Sequence, residues 1–190
     1  QDSRLDSFYS SSISDTKLLL GSKTSDEIHF HHGLWTETSS YEDAASDAVR
    51  SFYDHIAPSS RVLDVGSGWC GPADLLASER DADVVALTVS QAQSFYCRSR
   101  GYRTVHADAE TLNLADTFGY DSFDVSFLLE SLEHISNKRD LLSRLRDVSS
   151  KLLIRTWCSS AKRENYDLIP QTQRVSTVSL SNIVEHYEIL

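Results

Sequence analysis

The stretch that most constrains the fold of this chain is Arg61-Val-Leu-Asp-Val-Gly-Ser-Gly-Trp-Cys-Gly-Pro72. Its apolar start predicts a buried strand over 62–65, followed by a glycine loop and a helix over 73–80. Pro72 suits the first helical turn, where a missing N–H leaves no donor unpaired. Such a unit brings several backbone N–H groups to one point, which suits a nucleotide-like ligand or an anion.

The identity of that ligand depends on the residues around the glycines. The spacing Gly66-x-Gly68-x-x-Gly71 also fits a dinucleotide fingerprint. However, the carboxylate of Asp64 would repel a pyrophosphate, whereas it suits a cationic amino-acid end such as that of S-adenosylmethionine (SAM). The second strand, 83–89, also lacks the acidic residue at its end that would hold the ribose of NAD. The alternative is that the glycines form only a tight turn.

Composition limits the class of protein. A chain of 190 residues predicts one domain, spanning 1–190, and 40% apolar with 24% charged residues is typical of a soluble globular protein. The net charge of −10 disfavours nucleic acid and anionic membranes as partners. No apolar run approaches the ~20 residues of a membrane span. The three cysteines are odd in number and contain no Cys-x-x-Cys pair, which predicts reduced thiols, a cytoplasmic location and no zinc site.

The rest of the chain alternates strands with helices. Ser40-Tyr-Glu-Asp43 predicts a helix start, and the apolar spacing continues the helix to Ala57. Further strands are predicted over 84–89, 104–107, 123–129 and 151–157, with helices following Ser90 and over 140–149. This order predicts an α/β fold, a doubly wound and mostly parallel sheet.

The two ends are less regular. Residues 1–40 are Ser-rich and acidic, and we predict an N-terminal helical cover, with a disordered tail over 1–12 as the alternative. Residues 158–176 interrupt the alternation and predict an insertion that contributes acceptor contacts, with Tyr166 and Arg174 as candidates. A final helix is predicted over 179–187.

Polar residues cluster at the predicted carboxyl ends of the strands, where ligands bind in sheets of this kind. They are Asp64 to Gly68, Thr88, Asp108 and Glu130.

Taken together, these motifs resemble those of the class I SAM-dependent methyltransferases. Residues 63–68 resemble the first motif of that family, and 87–93 resemble the Thr-Leu-Ser-x-x-Gln variant of the second. Residues 107–110 resemble the adenine-binding motif. The Glu-Ser-x-x-His form over 130–134 and the His-His-Gly-aromatic segment over 31–35 resemble the branch that acts on tocopherol, sterols and geranyl diphosphate and forms cyclopropanes.

The resemblance implies SAM as cofactor and S-adenosylhomocysteine as product. It assigns the methionyl end to Asp64, Gly66, Ser67 and Gly68, the ribose to Thr88 and Gln93, and adenine to Asp108 and Ala109. Ser90 and Gln93 also form a helix capping box that needs no ligand. Cys70 departs from the glycine of many members.

The catalytic candidates are His134, Glu130 and His32. His134 is the best general base, since the ordinary pKa of histidine lies near neutrality; the alternative is that it caps local backbone. Glu130 would bind an amine, take a proton or stabilise a carbocation, or else bind nearby N–H groups. His32 and Trp35 would close over the cofactor and shape the acceptor pocket, or Trp35 is core. We expect Glu133 to face solvent.

Three histidines within residues 29–32 also invite a metal site, but a pocket lining is favoured and no metal is predicted.

The predicted function is SAM-dependent methyl transfer to oxygen, nitrogen or carbon of a small-molecule acceptor. The alternative is a SAM-binding pseudoenzyme or partner subunit without methyl transfer; an NAD-dependent oxidoreductase is disfavoured. The family's C-terminal β-hairpin has no evident counterpart here. Either the end is truncated, or the fold is a reduced version, or a partner chain covers the exposed edge of the fifth strand; the last alternative predicts a homodimer or another partner chain.

Overall fold

Five parallel strands form one sheet in the order β3-β2-β1-β4-β5. The computed structural model describes residues 28–35 and 40–156. Its regular elements are α1 (Tyr41–Arg50), β1 (Arg61–Val65), α2 (Gly71–Arg80), β2 (Asp83–Thr88), α3 (Gln91–Ser99), β3 (Arg103–His106), α4 (Leu114–Phe118), β4 (Val125–Leu129), α5 (Lys138–Val148) and β5 (Leu152–Arg155). Two 3₁₀ turns follow α1 and β4, at Tyr53–His55 and Leu132–His134.

The strands alternate their apolar side chains between two cores, one on each face of the sheet. Val62 and Phe127 face a core that α1, α2 and α3 cover. Leu63 and Leu128 face a second core that is covered mainly by α5. Because the central strands are buried on both faces, most of their residues are apolar, with Asp64 in β1 and Ser126 in β4 as buried polar exceptions. The predicted α/β fold, a doubly wound parallel sheet, is confirmed.

Side-chain caps fix the starts of α1 and α3 as predicted. Ser40 Oγ accepts a hydrogen bond from the Asp43 N–H at 3.1 Å. Ser90 Oγ accepts one from the Gln93 N–H at 3.4 Å. Each bond satisfies a donor that the first helical turn leaves unpaired.

One predicted helix end is wrong, and one helix was missed. The helix expected to reach Ala57 ends at Arg50, and a 3₁₀ turn continues the chain. The short helix α4 was not predicted, since five residues carry too little periodicity to reveal a helix. Asn113 caps α4, its Oδ1 accepting from the Asp116 N–H at 3.2 Å.

The expectation of reduced thiols is also wrong. Cys70, directly before α2, forms a disulfide with Cys97 on α3, which lies 27 positions later. Both side chains are fully buried. Disulfides persist mainly in oxidising compartments, so the cysteines give no support to a cytoplasmic location, which stays a prediction.

Several predictions for the chain ends concern residues outside those described. They are the helical cover over 1–27, the insertion over 158–176 with Tyr166 and Arg174, the helix over 179–187, and Cys158. The described part of the cover, 28–35, forms neither a helix nor a strand, and we call it the strap. Within 28–35 and 40–156, no helix is long and apolar enough to cross a membrane.

Candidate active site

The strand order places a switch point between β1 and β4, because the chain moves from β1 to β2 and β3 and then returns to β4 on the other side. Ligands of such sheets bind at this crevice, outside the carboxyl ends of the strands. The loop after β1 is fixed there by two main-chain bonds. Gly66 and Ser67 donate to the Leu87 carbonyl of β2 at 2.8 and 3.1 Å.

The glycine loop needs a glycine at position 66. Its φ of +79° is unfavourable for other residues, and an added Cβ would lie 2.5 Å from Ser131 Cβ. Ser131 in turn donates to the Val65 carbonyl at 2.6 Å. The close contact therefore brings the segment after β4 against the glycine loop. Gly68 has a φ of +52°, and Phe30 of the strap lies next to it.

Asp64 is the most unusual group of the site. Its side chain lies in β1 at 2% exposure, and Oδ2 has no hydrogen-bond partner among the described residues. Burial raises its pKa from 3.8 to about 7. A buried carboxylate without a partner is costly, and a cationic ligand would relieve that cost.

Two serines also carry buried hydroxyls without a partner among the described residues. They are Ser67 in the glycine loop and Ser94 on α3. The residues present therefore fit the methionyl end of SAM, which combines a sulfonium and an ammonium with a carboxylate.

Thr88 and Gln93, the predicted ribose contacts, lie together at the end of β2. The Thr88 hydroxyl donates to Gln93 Oε1 at 2.8 Å and accepts from the Ser90 N–H at 3.2 Å. Both side chains are buried. The capping role and the cofactor role are compatible, since the hydroxyl bond fixes the orientation of the Gln93 amide.

Asp108 and Ala109, the predicted adenine contacts, follow β3 in a tight turn. Asp108 Oδ1 accepts from the Glu110 N–H at 2.9 Å. The carboxylate of Glu110 accepts from the main-chain N–H groups of Ser136 and Asn137, and these bonds lower its pKa. The loop after β3 is therefore tied to the loop before α5.

Arg144 on α5 also ties the loop after β3 to α5, and the sequence motifs did not predict it. Its guanidinium donates to the carbonyls of Ala109, Glu110 and Leu112 at 2.9 to 3.1 Å. Three carbonyls held by one side chain fix the backbone of the predicted adenine loop.

Glu130 follows β4 with a φ of +50°, and its side chain meets the strap. Its Oε2 accepts from the His32 main-chain N–H at 2.9 Å and from His32 Nδ1 at 2.8 Å. Arg155 at the end of β5 places Nε 3.9 Å from Glu130 Oε1 and donates from Nη2 to the Gly33 carbonyl. The sequence predicted Glu130 and His32 separately, but not their contact or the part of Arg155.

Further bonds hold the strap. Tyr41 on α1 donates to the carbonyls of His29 and His31 at 3.2 and 2.7 Å. The buried rings of His29 and His31 approach to 3.1 Å between Nδ1 and Nε2. Burial, with the nearby His29, Arg155 and His32, lowers the pKa of His31 well below the ordinary histidine value. No group of His, Cys, Asp or Glu in the described part of the chain has the arrangement of a metal site.

The remaining candidates lie at the rim. His134 ends the 3₁₀ turn after β4 and is exposed. Glu133 does not face solvent as predicted, since its Oε2 accepts from the Thr156 hydroxyl at 2.8 Å and burial raises its pKa. Trp35 is 54% exposed, so it is not core. Its indole N–H donates to the His32 carbonyl at 2.7 Å.

Comparison with known proteins agrees with this geometry. Residues 63–151, which run from within β1 to the residue before β5, match the family model described as a methyltransferase domain. Over this segment the chain is similar to a methyltransferase domain. The matched segment contains the glycine loop and the ends of β1 to β4. SAM is the cofactor of the family.

Relatives of the family extend the likeness beyond that segment. An O-methyltransferase of Penicillium expansum, cnsE, is 31% identical over 138 residues, which cover 66% of this chain and 50% of that protein. A probable chloroplastic tocopherol O-methyltransferase of Oryza sativa is 27% identical, over 68% of this chain and 41% of its own length. The chain thus spans about half or less of the length of these relatives.

Among solved structures, the cyclopropane synthase MmaA2 from Mycobacterium tuberculosis shares the fold. Its TM-score is 0.70 at 18% identity, covering 97% of this chain and 65% of that one.

Proposed function

We propose that this protein transfers the methyl group of SAM to a small-molecule acceptor. The observation that carries the proposal is Asp64, whose buried carboxylate lies beside the glycine loop at the switch point and has no partner within 28–35 and 40–156. The relatives support a small-molecule acceptor, since their names include a tocopherol and a rifamycin methyltransferase.

When bound, SAM supplies an electrophilic methyl group on a sulfonium, so the protein needs little covalent chemistry. Asp64 would hold the cationic methionyl end, with Gly66, Ser67 and Gly68 forming the loop around it. Thr88 and Gln93 would hold the ribose. Asp108 would accept from the adenine amine, and the Ala109 N–H would meet a ring nitrogen.

The chain's main contribution is to orient donor and acceptor in line, which can supply much of the rate enhancement. The strap brings Phe30 next to Gly68 and Trp35 against His32, so these rings would cover the reaction site and exclude water. Glu130, His134 and His32 are the groups proposed to orient the acceptor or remove its proton.

Isothermal titration calorimetry tests the proposal. We expect the protein to bind SAM and S-adenosylhomocysteine at one site per chain, whereas NAD should give no heat of binding. Asp64→Asn should weaken SAM binding at neutral pH at least tenfold, because the counter-charge is lost. Tight NAD binding, or SAM binding that is equal in the variant, would contradict the assignment.

A further inference from the structure

The contacts of Glu130 decide what this carboxylate is able to do. Its side chain is only 4% exposed, and Oε2 accepts two N–H groups of the same residue, His32. Arg155 approaches the other oxygen, with Nε 3.9 Å from Oε1. Both oxygens of the carboxylate therefore already have a partner within the protein.

This environment argues against two of the three roles that Glu130 was expected to fill. A buried carboxylate already paired with His32 and Arg155 would have to give up those bonds to bind an amine substrate. The guanidinium of Arg155 also offsets the negative charge of Glu130, so this carboxylate would stabilise a carbocation formed on an alkene poorly. The role that remains is proton transfer, and the two bonds to His32 indicate that Glu130 serves it through that histidine.

The bond to Glu130 selects the tautomer of His32. A carboxylate accepts hydrogen bonds only, so Nδ1 of the neutral ring carries the proton and Nε2 carries the lone pair. The side chain of His32 is 64% exposed, on a strap that also bears Phe30 and Trp35. A carboxylate behind an imidazole in this way also stabilises the imidazolium that forms when the ring accepts a proton.

The strap holds this arrangement in place. The guanidinium of Arg155 donates to the Gly33 carbonyl, next to His32 in the chain. The main-chain N–H of His32 is bonded to the same oxygen as its ring, which fixes both the backbone and the side chain. The geometry is therefore supported from β4, β5 and the strap.

From this geometry we infer that His32 is the general base, that Glu130 and Arg155 are positioning residues, and that the acceptor is a hydroxyl group. The inference rests on the proposed methyl transfer. A hydroxyl must lose its proton as it is methylated, and a base with an oriented lone pair serves this need.

The bonds and protons of the step balance. The acceptor oxygen forms a bond to the methyl carbon while the carbon–sulfur bond breaks, and that electron pair goes to sulfur, which becomes a neutral thioether. The hydroxyl proton goes to His32 Nε2, and the ring later releases it to water. No other reactant is required.

Matched probes test the acceptor class. The protein is incubated with SAM carrying a tritiated methyl group and, separately, with 4-methylphenol, 4-methylaniline and 4-methylstyrene. We expect the label on the phenol oxygen at least tenfold faster than on nitrogen or carbon. Equal or faster transfer to nitrogen or carbon, or no transfer to oxygen, would overturn the inference.

Variants test the residue roles. His32→Ala should lower transfer to the phenol about 10²-fold or more, with partial rescue by added imidazole, and leave SAM affinity within about threefold. Glu130→Gln should lower transfer less than His32→Ala. The matched control is the exposed His55, far from the site on the turn after α1; His55→Ala should match the unchanged protein. A larger loss in His134→Ala than in His32→Ala would overturn the assignment.

The tautomer gives a readout that does not depend on the acceptor. Nitrogen-15 spectra of labelled histidine should show the neutral His32 ring protonated at Nδ1, and protonation at Nε2 would overturn the role of Glu130. Calorimetry separates the two proposals. If the protein does not bind SAM, the proposed function fails; if it binds SAM but methylates nitrogen or carbon, only the present inference fails.

Discussion

Replacing Asp64 by asparagine should make the protein more stable relative to the unchanged protein as the pH rises. The same substitution should weaken SAM binding. The raised pKa of about 7, against 3.8 for an ordinary aspartate, corresponds to about 4 kcal/mol of destabilisation once the group is ionised. The folded state holds the proton more tightly than the unfolded state. Stability therefore falls as pH rises from the lower pKa to the higher one, and it stays low above both.

The assay is urea unfolding of the unchanged protein and of Asp64→Asn at about pH 5.5 and about pH 7.5. The buried amide destabilises the variant by an amount that does not depend on pH. We therefore compare the difference in free energy of unfolding between the two proteins at each pH, and any change in that difference comes from the carboxylate. We expect the variant to gain about 2 kcal/mol relative to the unchanged protein between these pH values. A difference that does not change with pH would refute the account of Asp64 as a buried carboxylate without a partner.

SAM binding provides the matching half of this prediction. Because a cation binds the ionised carboxylate, affinity for SAM should rise roughly 20-fold between about pH 5.5 and about pH 7.5 in the unchanged protein. In Asp64→Asn, affinity should be lower and nearly independent of pH. A rise of the same size in both proteins would show that another group controls binding.

Three further substitutions have defined outcomes. Gly66→Ala should cost about 1–3 kcal/mol in urea unfolding and weaken SAM binding, because its Cβ would meet Ser131 at a strained φ; unchanged stability would contradict the close contact. Cys97→Ser should lower the free energy of unfolding by about 3 kcal/mol, because it removes the disulfide to Cys70. A dithiol reductant should destabilise the unchanged protein and leave the stability of the variant the same. Arg144→Ala leaves three carbonyls of the loop after β3 without their donor, so it should weaken the binding of both adenosine and SAM about tenfold in calorimetry. Weaker binding of SAM alone would contradict this role.

Sequence patterns predicted the parts of the site that are local in the chain. The strand before Gly66, the glycine loop and the cap at Ser90 depend on neighbouring residues, and the structure confirms those elements. The carboxyl ends of the strands meet because alternating strands and helices form a parallel sheet, so the sequence alone places Asp64 and Thr88 near each other.

Contacts between distant residues could not be predicted in the same way. Arg155 contacts Gly33 across 122 positions, and nothing near either residue indicates the pairing. The bond between Cys70 and Cys97 was missed because cysteine spacing carries no connectivity. Glu133 was expected in solvent because its partner, Thr156, lies at the far end of β5.

A crystal structure with S-adenosylhomocysteine would test the central claim most directly. We expect the amino-acid end of the ligand beside Asp64 and the glycine loop, the ribose at Thr88 and Gln93, and the adenine at Asp108. A ligand bound elsewhere on the protein, or a crevice between β1 and β4 that stays empty at saturating concentration, would contradict it.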